Sequence, residues 1–218
     1  MGAYVLVMGN KNYSSWSIRP WIAMKVAGIE FDEIIIPLRQ PDTKERILKY
    51  SPAGKVPILI DGDLVMWESL SILAYLTEKH PDAQLLPADS VARARARCVA
   101  AEMHAGFAAL RSEAPCNIRR NPKTLALSPN AMADVARIEQ LWDECRTPHG
   151  KGGPFLFGRF SVADAMFAPV VNRFHAYKVP VSKQTRAYMY AMMALPAWKE
   201  LEAEARAEPG TIADRELD

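Results

Sequence analysis

The chain is predicted to hold an α/β domain followed by an all-α domain. Three observations carry that prediction. Strand-like apolar runs alternate with helix-like segments in the order βαβαββα over the first 80 residues. Strand signals then almost vanish beyond Pro81 and Pro87. Ala-rich, helix-favouring sequence fills the remainder. The expected division is 1–80 for the α/β domain, 81–87 for a linker and 88–218 for a helical-bundle domain. A chain of 218 residues can hold one large or two modest domains with a substantial core.

The first element is Tyr4-Val5-Leu6-Val7-Met8, five apolar residues in a row, which suits a strand buried on both faces. Next comes Gly9-Asn10-Lys11-Asn12-Tyr13-Ser14-Ser15-Trp16-Ser17-Ile18-Arg19-Pro20. Ser14, Ser15 and Ser17 are good N-cap residues and Pro20 is tolerated in a first helical turn, so a helix is expected to begin close to Ser17 and to end near Ala27-Gly28. Phe31 to Ile36 reads as the second strand and Thr43 to Lys49 as a short helix.

A proline strand follows. Proline cannot donate to a sheet ladder, so Val56-Pro57 must open its strand at an edge or turn, where the Val56 backbone stays free for an outside partner and the peptide bond can be cis. Asp61-Gly62-Asp63 reads as the hairpin turn joining Ile58-Leu59-Ile60 to Leu64-Val65-Met66. Leu70, Leu73 and Leu76 then recur at helical spacing, which puts Glu68-Ser69 at a helix N-terminus whose free N–H groups favour a carboxylate. In the second half, Ser161-Val162-Ala163-Asp164 reads as a capping box opening a core helix.

Together these patterns resemble the cytosolic glutathione transferases, whose N-terminal domain has a thioredoxin-like fold. The resemblance covers nearly the whole chain in element order. It implies that Val56, before Pro57, pairs with the cysteinyl backbone of glutathione. It also implies that Glu68 meets the α-amino group, that Ser69 takes the α-carboxylate and that Lys55 lies near the glycyl end. Ser14-Ser15-Trp16-Ser17 looks most like the Ser-Ser-Cys-Ser motif of the zeta class, with Ser14 matching the serine that activates the thiol and Ser15 as second candidate. Trp16 stands where that class has cysteine, which moves the reading from an isomerase toward a bacterial serine-type transferase.

Glutathione, as co-substrate, brings its own nucleophile, with a thiol pKa near the free cysteine value of about 8.5. A serine hydroxyl and the positive end of the first helix would favour its thiolate. The second substrate, a small hydrophobic electrophile, is expected between the domains. His104, Phe107 and Arg111 at helix-compatible spacing would line that cleft, with Tyr13 and Trp16 covering it from the first domain. Other activities compatible with the motif are a glutathione-dependent isomerase, disulfide reductase or peroxidase, and a non-catalytic binding protein is the third class. The resemblance further implies a homodimer.

Composition narrows the remaining choices. The net charge of +2 and the spread of Arg93, Arg95 and Arg97 around a helix argue against nucleic-acid binding. No apolar run is long enough to span a bilayer, and without the charged start of a signal peptide the expected location is cytoplasmic. Cys98, Cys116 and Cys145 are odd in number and widely spaced, which predicts neither a disulfide framework nor a metal site.

Overall fold

The computed structural model describes residues 4–217. Its first half is built as β1 (Tyr4–Gly9), α1 (Ser15–Ala27), β2 (Phe31–Ile36), α2 (Thr43–Leu48), β3 (Ile58–Asp61), β4 (Leu64–Trp67) and α3 (Ser69–Lys79). The strands form one mixed sheet in the order β2-β1-β3-β4, with β1 parallel to β2 and antiparallel to β3. This is the thioredoxin-like βαβαββα arrangement. A single 3-10 turn at Pro81–Ala83 leads into α4 (Ser90–Ala105), α5 (Ala108–Glu113), α6 (Pro129–His149), α7 (Val162–Ala176), α8 (Lys183–Met193) and α9 (Pro196–Ala207).

The continuous apolar run of β1 is explained by its position. Leu6 and Met8 join the main core beneath α1 and α3, while Val7 faces the opposite layer with Ile36, Ile47 and Ile58 under α2. The main core continues without a break into the helical half, because α1 packs against α7 as well as against the sheet layer. Every residue of α7 except His175 is buried, as expected of a helix enclosed on all sides. Its start is the capping box: Ser161 donates its backbone N–H and its hydroxyl to Asp164 Oδ2, each at 2.8 Å.

Helix α1 begins at Ser15, two residues before the expected start, so Pro20 falls inside the helix rather than in its first turn. The cause is the preceding turn. The Asn10 carbonyl accepts from Tyr13 N at 3.2 Å and Ser14 N at 2.8 Å, which brings Ser14 into the cap position early. The helix stops where sequence requires: Gly28 adopts φ 67°, a left-handed conformation that glycine enters without a Cβ penalty.

Candidate active site

The end of β1, the start of α1 and the loop before β3 meet at a cleft of about 980 Å³ between the two halves. Ser14, Ser15, Lys55 and Val56 all line it. Ser14 is 6% exposed and occupies the N-cap position, yet its side chain makes no capping bond. Its hydroxyl instead pairs with that of Ser17 at 2.8 Å, and Ser17 Oγ accepts the backbone N–H of Gly9 at 3.1 Å. Ser17 is fully buried. Ser14 Oγ is the acceptor within reach of the buried Ser17 proton among the described residues, so the pair is satisfied when Ser17 donates to Ser14, which leaves the Ser14 proton for the cleft. With no side-chain cap on the first turn of α1, its N–H groups direct a partial positive charge to the same place. Sequence reasoning missed the part played by Ser17, since its i, i+3 relation to Ser14 was visible only as a set of competing N-caps.

The Val56–Pro57 peptide bond is cis, Pro57 is buried, and β3 starts only at Ile58. No backbone bond of Val56 is found among the described residues, so its N–H and C=O remain available at the cleft edge. Glu68 precedes α3 with φ 67°, a conformation that costs a non-glycine residue on the order of 1–3 kcal/mol. Ser69 is 1% exposed and its hydroxyl has no partner among the described residues. A buried unpaired hydroxyl at a helix N-terminus is suited to a carboxylate ligand, and so the residues present fit the γ-glutamyl end of glutathione. Lys55 is exposed, with no carboxylate within ion-pair distance among the described residues.

The second-substrate wall departs from expectation. His104, Phe107 and Arg111 do not share a helix face, because α4 ends at Ala105 and Phe107, at φ 60°, caps the separate helix α5. Phe107 is buried against Phe167 at 6.5 Å between ring centroids and does not line the cleft, which corrects its expected role. His104 is likewise outside the lining. Its ring meets the edge of Trp16 at 5.2 Å, and its Nε2 lies 3.7 Å from Glu68 Oε2, next to the glutathione-type motif. Arg111 and Trp16 do line the cleft, and two guanidinium groups sit over Trp16, Arg19 at 3.9 Å and Arg111 at 5.0 Å. Tyr13 lines it too, but its hydroxyl is committed to the C-terminal segment: it donates to Glu216 and accepts from Arg119 at 2.7 Å and Ile212 N at 3.2 Å.

Residues with no sequence signal complete the wall. Cys116 and Arg173 come from the helical half, and Ile212, Asp214 and Arg215 come from the segment after α9. Burial raises the Cys116 thiol above its ordinary range despite the nearby guanidinium groups of Arg173 and Arg19, so it is held as the neutral thiol.

A thioredoxin-like sheet carrying a cis-proline edge, a serine turn and an acid-serine pair, joined to an all-helical half, defines a glutathione-using class of protein. The chain belongs to the glutathione S-transferase family: the model of that family's N-terminal domain matches residues 13–79, and that of its C-terminal domain matches residues 88–204. It is an enzyme with glutathione as co-substrate. Glutathione S-transferase Z2 of Arabidopsis thaliana is 28% identical, covering 93% of this chain and 95% of that protein. A probable maleylacetoacetate isomerase of Caenorhabditis elegans is 34% identical over 93 residues, which cover 43% of this chain and 42% of that protein. A Burkholderia glutathione transferase homologue, solved with bound glutathione, shares the fold with a TM-score of 0.71, 22% identity and coverage of 94% of this chain and 99% of the other.

Proposed function

We propose that this chain conjugates glutathione to small electrophiles, with Ser14 as the hydroxyl donor that stabilises the thiolate and Ser17 as the residue that orients it. The observation that carries this reading is the bond between Ser14 and Ser17, which takes Ser14 out of helix capping and keeps it at the cleft. Val56 would pair with the cysteinyl backbone, Glu68 with the α-amino group and Ser69 with the α-carboxylate. Lys55 would meet the glycyl end. Glutathione supplies the nucleophilic sulfur. Ser14 remains a neutral alcohol, donating a hydrogen bond to the developing charge, while the thiol proton passes to solvent. Ser15, also at the cleft, is the second candidate donor. The chain would act in detoxification in the cytoplasm as a homodimer.

Likeness to the maleylacetoacetate isomerase favours a second reading, isomerisation through a reversible glutathione adduct at the same site. Both readings need the same thiolate. The test is conjugation of an aryl halide by Ser14→Ala protein: a loss of about ten- to a hundredfold is expected from one charge-assisted hydrogen bond. Full retained activity would remove Ser14 from the mechanism, and loss confined to Ser15→Ala would transfer the role.

A further inference from the structure

We infer that Glu216 is a positioning residue for the electrophile side of the cleft: by holding the hydroxyl of Tyr13 it straps residues 208–217 to the site and fixes Ile212 there as an apolar wall for the substrate. This rests on the transferase reading and adds a residue to it. Between Glu208 and Leu217 the regular structure among the described residues is a single 3-10 turn at Ala213–Arg215, so side chains from elsewhere must keep the segment in place. Glu208 accepts from Lys11 N at 2.6 Å and Asn12 N at 3.0 Å, and Arg119 donates to the Glu208 and Gly210 carbonyls at 3.2 and 2.8 Å. Asp214 reaches the other half to pair with Arg39 at 3.4 Å, but both side chains are more than half exposed, so that pair contributes little.

The buried fastening is at Tyr13. Its hydroxyl donates to Glu216 and accepts from Arg119 Nη2 at 2.7 Å and from Ile212 N at 3.2 Å. A phenol offers one proton and two lone pairs, so its capacity is filled. Glu216 accepts in turn from Asn117 Nδ2 at 2.9 Å and Arg119 Nη2 at 3.3 Å. Burial, then the bond to Glu216, raises the Tyr13 hydroxyl above its ordinary range, so it stays a donor. Burial pulls Glu216 upward as well, but the bonds from Tyr13, Asn117 and Arg119 outweigh it and hold the carboxyl below its ordinary range, so it stays an acceptor.

Tyr13 stands directly before Ser14 and lines the same cleft, yet its proton belongs to Glu216, which leaves the thiolate to Ser14. Ile212 is 7% exposed, lines the cleft and is bonded through its backbone to the same hydroxyl. Its place in the wall therefore depends on the bond between Tyr13 and Glu216. Val56, Glu68 and Ser69 make no bond to the strap among the described residues, so the contacts proposed for glutathione do not depend on it.

Calorimetry with two thioethers tests the inference: S-methylglutathione, which fills the glutathione half alone, and S-(4-nitrobenzyl)glutathione, which adds a ring on the electrophile side. In the wild type the benzyl thioether should bind about tenfold tighter, and Glu216→Ala should remove most of that advantage while S-methylglutathione affinity stays within about twofold. Glu216→Gln keeps an acceptor for Tyr13 and should retain part of the advantage. Tyr13→Phe, which removes the hydroxyl and keeps the ring, should match Glu216→Ala, and the double variant should be no worse than either single one, as expected of two residues acting through one bond. No ring advantage in the wild type, an advantage untouched by Glu216→Ala, or both thioethers weakened alike would overturn the strap; conjugation of 4-nitrobenzyl chloride by the same wild type would leave the transferase reading standing. A ring advantage that depends on Glu216 in a protein that conjugates neither 4-nitrobenzyl chloride nor an aryl halide would uphold the strap and overturn the transferase reading. Neither thioether bound and neither halide turned over would overturn both.

Discussion

Ser14 and Ser17 stand one turn apart at the start of α1, and the chemistry assigned to one depends on the other. Replacing Ser17 by Ala removes the group that accepts from Gly9 N and orients Ser14. Conjugation by that variant should fall about tenfold while glutathione affinity is kept, read as a drop in kcat without a matching rise in KM. Under the proposed reading, Glu68→Gln and Ser69→Ala act at the other end of glutathione. Their expected effect is the reverse, a raised KM for glutathione with kcat little changed, because the contacts they supply are the same in ground and transition states. The serine turn, Val56-Pro57 and Glu68-Ser69 were legible because each is a short local pattern tied to a strand end or helix start. Arg19, Cys116 and Arg173 were not legible as a group. Nothing in the sequence spacing tells that residues from α1, the loop after α5 and α7 converge.

Among the elements, α7 carries a test of its own. Asp164 accepts from Leu156 N at 3.0 Å, from Ser161 N and Oγ and from Tyr188 OH at 3.1 Å. Burial nevertheless outweighs these bonds and pushes its carboxyl from 3.8 up to about 6. The folded state therefore holds this proton more tightly than the unfolded chain does. The resulting stabilisation is fully present below about pH 4 and is lost as pH rises through about 6, on the order of 3 kcal/mol in all. Asp164→Asn lacks that titration. Denaturant unfolding should thus show a gap between wild type and variant that narrows from pH 4 to pH 6.5; a constant gap would contradict this account. The capping box was readable from Ser161-Val162-Ala163-Asp164, but the break between α4 and α5 was misread as one helix face. Gly106 was the available signal: the chain leaves the helix there at φ −100° and ψ −168°, a backbone on which a Cβ would stand 2.8 Å from the Glu102 carbonyl oxygen.

At the scale of the whole molecule, the site is assembled by contacts that link its two halves. Lys11, on the loop after β1, bridges Glu33 of β2 and Glu204 of α9, and Glu208 accepts from the backbone of Lys11 at 2.6 Å and Asn12 at 3.0 Å. Removing the buried cation leaves two partly exposed carboxylates facing each other with only water to compensate them. Lys11→Met should cost about 1–3 kcal/mol, since Glu33 and Glu204 are partly exposed and can be rehydrated, and lower the midpoint of a single cooperative unfolding transition. The order of elements was legible because hydrophobic period and turn residues are local properties. The return of the C-terminal segment to Tyr13 through Ile212 and Glu216 was not, since it depends on side chains about 200 positions apart. The proposed function rests on one step, holding a thiolate beside Ser14. The most direct measurement is therefore the thiol pKa of bound glutathione, followed by thiolate absorbance across pH in wild type and Ser14→Ala. A value well below about 8.5 in the wild type that rises toward it in the variant is the predicted result; the same depressed value in both proteins would contradict the assignment of Ser14.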